Sequence, residues 1–277
     1  MITPELQKKI DFAIRLLKSY DDEKNPVEIA FSGGKDSEVI LQLAKEAGIH
    51  YRAIYRNTTI DPPGTIKHVR EKGVEVLRPE TSFFGLITKM GYPNRFMRFC
   101  CRYLKEKKVL DKCVLGVRKA ESRKRNERYN EPTECKFYGS KKEHVEAIYP
   151  ILTWTDADVL AYIEDRNIQL HPLYYDKNGQ IDITRRLGCM GCPLKSKYKR
   201  IKDFKENPAL LRAYIRFGRK YMELHPEGKT VSQYKDIYEW FFRDLFAPTQ
   251  KEWAKYNDSM FENDYKAMLE KYFNTTL

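Results

Sequence analysis

Two groups of residues in this sequence have the types and spacing that do chemistry. One is the run Ser32-Gly33-Gly34-Lys35-Asp36-Ser37; the other is four cysteines set as a tandem pair, Cys100-Cys101, and a spaced pair, Cys189-Met190-Gly191-Cys192. The first suits an anion. Two glycines let the backbone close on phosphate oxygens, successive amides form a nest of N–H donors, and a helix start adds partial positive charge. Ser32 and Ser37 bring hydroxyl donors, Lys35 a cation, and Asp36 a carboxylate able to hold Mg2+ or to cap the helix. A plain glycine turn before a helix is the competing reading, and it does not call for all six residues. The spacing is not that of a Walker A loop.

The cysteines suit a metal centre. Zinc holds four sulfurs at about 2.3 Å, hence only roughly 3.8 Å apart, which adjacent cysteines reach awkwardly. A 4Fe-4S cluster gives each thiolate its own iron, so a tandem pair with a C-x-x-C pair fits it better. Redox-active dithiols and buried structural cysteines remain open on spacing alone. Cys113, just before an apolar run, reads as core. Cys135, within Glu131-Pro132-Thr133-Glu134-Cys135-Lys136, reads as an exposed thiol with a candidate catalytic role.

These residues need elements to position them. Thr3-Pro4-Glu5 and the spacing of Leu6, Ile10, Ala13, Ile14 and Leu17 predict a first helix ending near Tyr20. Val27 to Phe31 reads as a buried strand that delivers the Ser-Gly-Gly run to a helix over Asp36 to Ala47, closed by Gly48. Tyr51 to Tyr55, Val74 to Leu77 and Val114 to Val117 read as further strands, Thr65 to Lys72 and Thr155 to Arg166 as helices. That alternation predicts an α/β fold with a parallel sheet. The polar stretch from Lys119 to Lys142 is expected to be a mobile loop over the site. Beyond Lys195, Leu210, Leu211, Tyr214, Phe217 and Tyr221, then Tyr238, Trp240, Phe241, Phe242 and Leu245, are expected as helical packing faces. The expected division is a nucleotide-binding domain over 1–195 and a helical C-terminal extension over 196–277.

Composition agrees with a globular chain: 277 residues, 42% hydrophobic and 32% charged, with 51 Lys+Arg against 39 Asp+Glu for a net charge of +12. The surplus favours anionic partners. Neither a signal-type N-terminus nor a long apolar run is present, so a cytoplasmic protein without membrane contact is expected, its six cysteines reduced.

The fingerprint Ser32 to Ser37 after a strand resembles that of the PP-loop adenine-nucleotide alpha hydrolases. Asn57 to Thr65, Gly116-Val117-Arg118 with Glu121-Ser122-Arg123, and Pro150 through Trp154 to Tyr174 resemble the phosphoadenylyl-sulfate (PAPS/APS) reductase branch, over approximately Val27 to Leu194. The resemblance implies a Rossmann-like PP-loop domain. It also implies a nucleotide site that includes Asn57, Thr58, Arg118, Glu121 and Arg123 besides the phosphate loop. Iron–sulfur members of that branch ligate their cluster with a tandem pair and a later C-x-x-C, which here implies Cys100, Cys101, Cys189 and Cys192. Lys105, in Cys100-Cys101-Arg102-Tyr103-Leu104-Lys105, then matches a lysine between cluster and substrate; a solvated helix charge is the alternative.

The family's reductases use a cysteine in a C-terminal tail, and no cysteine follows Cys192 here. The leading expectation is therefore an ATP pyrophosphatase that adenylates an acceptor for sulfur insertion, with Lys35, Asp36, Lys105 and Arg118 as the working groups. A nucleic acid, by DNA phosphorothioation or tRNA thiolation, is the expected acceptor, and a cysteine desulfurase a possible sulfur donor. The alternatives are an APS/PAPS reductase using Cys135 or a partner thiol with a thioredoxin-like reductant, and a non-catalytic nucleotide- or nucleic-acid-binding subunit.

Overall fold

The computed structural model describes residues 2–107, 109–138, 143–229, 231–246 and 264–277. They form two compact units, one of residues 1–79 and 101–188, the other of 80–100 and 189–277. The second unit starts at Cys189 and recruits Glu80–Cys100 from the middle of the chain. The reason is aromatic: Phe83 lies 5.6 Å from Tyr214, Phe84 stacks on Phe217 at 5.0 Å, and Tyr92 lies 4.5 Å from Trp240.

The first unit is built on a six-stranded sheet. Helix α1 (Pro4–Lys18) starts where the Thr3 side chain accepts the Leu6 amide, and it buries Leu6, Ile10, Ala13 and Leu17. Strand β1 (Val27–Ala30) is buried along nearly its whole length, as a central parallel strand must be. It is followed by α2 (Lys35–Ala47), β2 (Tyr51–Arg56), α3 (Thr65–Glu71) and β3 (Glu75–Leu77). After β4 (Lys112–Val114) come α6 (Arg123–Arg128), β5 (Thr133–Tyr138), β6 (Glu143–Ile148) and α7 (Asp156–Asp165), the last opened by a capping box of Thr155 and Asp158.

The sheet order is β3-β2-β1-β4-β6-β5. All pairings are parallel except β5 on β6. The chain leaves β1 toward β2 on one side and returns to β4 on the other, so the order reverses beside β1. In open α/β sheets that reversal opens a crevice at the carboxyl ends of the strands, and the Ser-Gly-Gly run sits there by construction.

Two local expectations are corrected. The polar stretch from Lys119 to Lys142 is structured through Tyr138: a 3-10 turn at Lys119–Glu121, α6 (Arg123–Arg128), then β5; residues 139–142 lie outside the described residues. Charged side chains masked the strand because they pair or stack. Arg128 bonds to Glu134, and the Lys136 ammonium lies 5.0 Å over the rings of both Tyr129 and Tyr149. The strand expected over Val114 to Val117 ends at Val114, although the Leu115 amide still donates to Ile148 O at 2.9 Å.

The second unit is helical: α4 (Phe83–Met90), α8 (Lys197–Glu206), α9 (Pro208–Leu224), α10 (Ile237–Trp240) running into a π turn at Phe241–Phe246, and a last helix at Tyr265–Phe273. Tyr214, Trp240, Phe241, Phe242 and Leu245 are buried, as the apolar spacing predicts. Helix α5 (Phe99–Leu104) carries the tandem cysteines. No helix among the described residues is long and apolar enough to cross a membrane.

Candidate functional site

The turn between β1 and α2 is held from three directions. Within it, the Ser37 hydroxyl donates to Gly34 O at 2.7 Å and accepts the Ser32 amide at 3.2 Å. From outside, the Tyr174 hydroxyl oxygen accepts the amides of Lys35 at 3.1 Å and Leu187 at 3.2 Å, tying the loop to the segment before Gly188. From behind, Gly116 packs so closely that a Cβ there would stand 3.0 Å from the backbone carbonyl of Asp36. Gly33 adopts φ +74°, which other residues take only with strain.

The turn opens into a pocket of about 470 Å³ lined by Ser32, Gly34, Lys35, Asp36, Ser37, Thr58, Asp61, Lys105, Glu121, Arg125 and Arg186, among others. Thus most of the sequence-derived nucleotide residues converge. The Lys35 side chain is buried and lies 3.6 Å from Asp36 Oδ2. Burial pushes its ammonium below the ordinary lysine range; Asp36 and Asp156 oppose that, and Arg118 and Arg186 reinforce it. Asp61 braces the pocket's second wall, its carboxylate accepting the Tyr55 hydroxyl and the Thr58 amide.

Four expected residues stand outside the lining. Gly33 turns away, its Cβ position 3.0 Å from Leu187 Cδ2. The Asn57 side chain accepts the Thr59 amide at 2.8 Å, stabilising a residue at φ +63°. Arg123 is exposed and pairs with Glu127. Arg118 was expected among the working groups, but its guanidinium is fully buried behind the loop. It donates to Asp36 Oδ1 at 2.6 Å, Asp156 Oδ1 at 2.7 Å and Trp154 O at 3.2 Å. It is a positioning residue that fixes the start of α2.

Three lining cations escaped the sequence reading, Arg56, Arg125 and Arg186; Arg56 pairs with the buried Glu28 carboxylate. Arg125 follows Arg123 on α6, and both burial and Arg186 hold its guanidinium below the ordinary range. Arg186 donates to Glu121 O at 3.0 Å and lies 3.5 Å from the Glu121 carboxylate, which also pairs with Arg125. The signal for Arg186 was its place in Arg185-Arg186-Leu187-Gly188, directly before the spaced cysteines. Lys105, just past α5, lines the pocket, and its amide donates to Cys101 O at 2.8 Å.

Cys113, Cys135 and Cys192 are free thiols. Cys113 is buried as expected of a core residue, and burial with the nearby Glu28 carboxylate drives its thiol far above the usual range. Cys135 is exposed on β5, its Sγ 3.4 Å from His144 Nδ1. Three of the four candidate ligands, Cys100, Cys189 and Cys192, belong to the second unit. All three act on one buried phenol: burial, then Cys189, Cys100 and Cys192, push Tyr214 well above the ordinary tyrosine range. Among the described residues no group of three or more His, Cys, Asp or Glu side chains is arranged to hold a metal ion. Cys101 falls in the first unit.

Residues 26–195 match the phosphoadenosine phosphosulfate reductase domain. Two uncharacterised proteins of Methanocaldococcus jannaschii are similar to the chain at 28% identity. One aligns over 82% of this chain and 48% of its own length, the other over 77% and 54%. The chain thus spans about half the length of the curated relatives it matches. Among solved structures, a phosphoadenylyl-sulfate reductase from Candida auris in a phosphate complex is similar at 16% identity and TM-score 0.44, covering 66% of this chain and 96% of that one. An NH3-dependent NAD synthetase from Campylobacter jejuni is similar at 17% identity and TM-score 0.40, covering 81% and 94%.

Proposed function

Since the chain belongs to the phosphoadenosine phosphosulfate reductase domain family, whose PP-loop fold it shares, we propose that it is an adenylating sulfurtransferase that cleaves ATP between the α- and β-phosphates. The observation that carries this reading is the phosphate loop opening into a pocket lined by five basic residues, Lys35, Arg56, Lys105, Arg125 and Arg186. In the proposed step an acceptor oxygen attacks the α-phosphorus, the α–β bridge breaks, and pyrophosphate leaves with the bridging electron pair. Loop amides and Lys35 oppose the negative charge that develops on the phosphates. Asp36, held by Arg118, is the carboxylate that would present Mg2+. A sulfur nucleophile then displaces AMP from the acceptor. A 4Fe-4S cluster, which the family resemblance assigns to Cys100, Cys101, Cys189 and Cys192, would supply sulfur or electrons.

A nucleic-acid acceptor, DNA or tRNA, is supported by where the charge lies. Ten basic residues fall between Lys195 and Lys220 against two acidic ones, Asp203 and Glu206, a surplus of eight out of the chain's net +12. Lys199, Lys202, Lys205, Arg212, Arg216, Arg219 and Lys220 are exposed on α8 and α9, beside Tyr198 at 77% exposure. Cations with an exposed ring suit a phosphate backbone and its bases.

A second reading, reduction of an adenylyl sulfate to sulfite, is favoured by one observation: the exposed Cys135 within 3.4 Å of His144, a thiol–imidazole pair of the kind that activates a nucleophile. Incubation of anaerobically purified protein with ATP, adenylyl sulfate or phosphoadenylyl sulfate separates the two. Pyrophosphate and AMP from ATP support sulfur transfer; sulfite that disappears in Cys135→Ser supports reduction and sinks the first reading.

A further inference from the structure

Two exposed segments of the second unit are tied together. The Tyr92 hydroxyl donates to Tyr214 O at 2.8 Å, anchoring the chain where it runs out toward Arg98. Asn94 then builds a turn: its Oδ1 accepts the amides of Phe96 at 2.8 Å and Met97 at 2.7 Å. Arg95 Nε donates to Pro193 O at 3.2 Å, which joins this turn to the segment that enters α8. There the Ser196 side chain accepts the Lys199 amide at 3.4 Å, placing Tyr198 in the first turn of the helix.

The side chains that these segments display are out of place in water. Phe96 is 97% exposed, and Met97, Leu194 and Tyr198 are exposed as well. They are four of the five most exposed large apolar side chains among the described residues, and all four lie on the two joined segments. Apolar groups gathered in this way mark a contact surface. Cations alternate with them: Arg95 and Arg98 flank Phe96-Met97, Lys197 and Lys199 flank Tyr198, and neither 81–100 nor 193–202 contains an acidic residue. Ring and cation in alternation match base and phosphate along a nucleic-acid strand. A two-fold contact with a second copy would instead set these cations against one another.

We propose that Phe96 is a stacking platform for an unpaired base, so that the acceptor is bound through single-stranded nucleotides. This rests on the nucleic-acid reading above and adds which form of nucleic acid is held. Every base has a π face, so a ring used in this way gives affinity with little sequence preference. The Asn94 turn holds the backbone of Phe96 in place before binding, which lowers the cost of ordering it. Arg95 and Arg98 meet the flanking phosphates. Ring and charge then contribute separately and can be measured apart.

The test is fluorescence anisotropy with the full chain, as wild type, Phe96→Ala and Phe96→Trp. The probes are a labelled mixed-sequence single strand, as DNA and as RNA, and the matching duplex. Thermal midpoints are read alongside and should agree, because the Phe96 side chain is left in water by folding. Wild type is expected to bind the single strand more tightly than the duplex. Phe96→Ala should weaken single-strand binding about tenfold, within the range for loss of one stacked base, while the slope of log affinity against log salt stays unchanged. Phe96→Trp should restore the affinity. Single-strand affinity unmoved by Phe96→Ala, or an equal loss on single strand and duplex, overturns the stacking role and leaves a nucleic-acid acceptor standing. The role is also overturned if Phe96→Ala keeps its oligonucleotide affinity but loses binding to anionic phospholipid vesicles, or loses self-association in sedimentation. Those results give the patch to a membrane or to a second copy. Wild type that binds neither single strand nor duplex overturns both readings.

Discussion

Lys35 carries a pH signature that an ordinary lysine would not. Its ammonium is held below the usual range by burial first, so the folded protein gives up that proton at a lower pH than the unfolded chain. The unfolded state binds more protons between the two values, and stability therefore rises with pH across that window. Phosphate binding has the opposite sign, because an anion prefers the charged lysine. We expect pyrophosphate affinity, measured by calorimetry, to fall as pH climbs toward the lysine range, and Lys35→Arg to abolish that alkaline fall. A flat profile in wild type would remove Lys35 from phosphate contact. Arg118 is tested by stability. Losing one partner of a buried pair costs about 3–5 kcal/mol, so Arg118→Met should lower the denaturation midpoint strongly, and Asp36→Asn in the same chain should restore part of the loss. Equal losses in the single and double variants would mean that the pair is not coupled.

At the scale of elements, the phosphate turn works because its neighbours leave no room for it to move. Gly116 follows β4 and touches the backbone at the start of α2; a methyl group there would meet Asp36 carbonyl atoms at 3.0 Å, and these cannot rotate away as a side chain would. Gly116→Ala is expected to weaken ATP binding at least tenfold while far-UV circular dichroism stays unchanged. Unaltered affinity would show that the turn tolerates displacement. The hairpin of β5 and β6 offers a contrast between thiols. Cys135 is exposed and Cys113 is buried in β4, so a maleimide should label Cys135 in the native state and Cys113 only after unfolding; early labelling of Cys113 would contradict its burial.

For the whole molecule, the charge distribution makes a quantitative statement about nucleic acid. Binding that neutralises phosphates releases counterions, so log affinity falls linearly with log salt, with a slope of about −0.9 per duplex phosphate contacted and about −0.7 per single-strand phosphate. Replacing Arg212, Arg216 and Arg219 together by Gln should shallow the slope by about two to three units if those residues meet the backbone. ATP turnover without an acceptor should stay intact. An unchanged slope would move the acceptor surface elsewhere or remove nucleic acid from the reading. Bound ATP should itself raise the stability of the chain by about 2.7 kcal/mol at a hundredfold excess over its Kd.

What the sequence determined by itself was local: the strand–turn–helix that makes the phosphate loop, the two cysteine pairs, and the apolar spacing of the helices, because each is set by residues within a few positions of one another. The same locality made Cys113 legible as core, whereas Lys105 was reached only through the family resemblance. Three things were decided only by folding. Arg118 and Arg125 lie in one short stretch, yet the first is drawn behind the loop by Asp36 and Asp156 while the second lines the pocket; no local pattern separates them. The charges that hid β5 find their partners at the end of α6 and just past β6. Glu80–Cys100 leaves the sheet unit because its aromatic side chains bury against α9 and α10, more than a hundred residues further on, and only a folded chain brings surfaces that far apart in sequence into competition for the same rings.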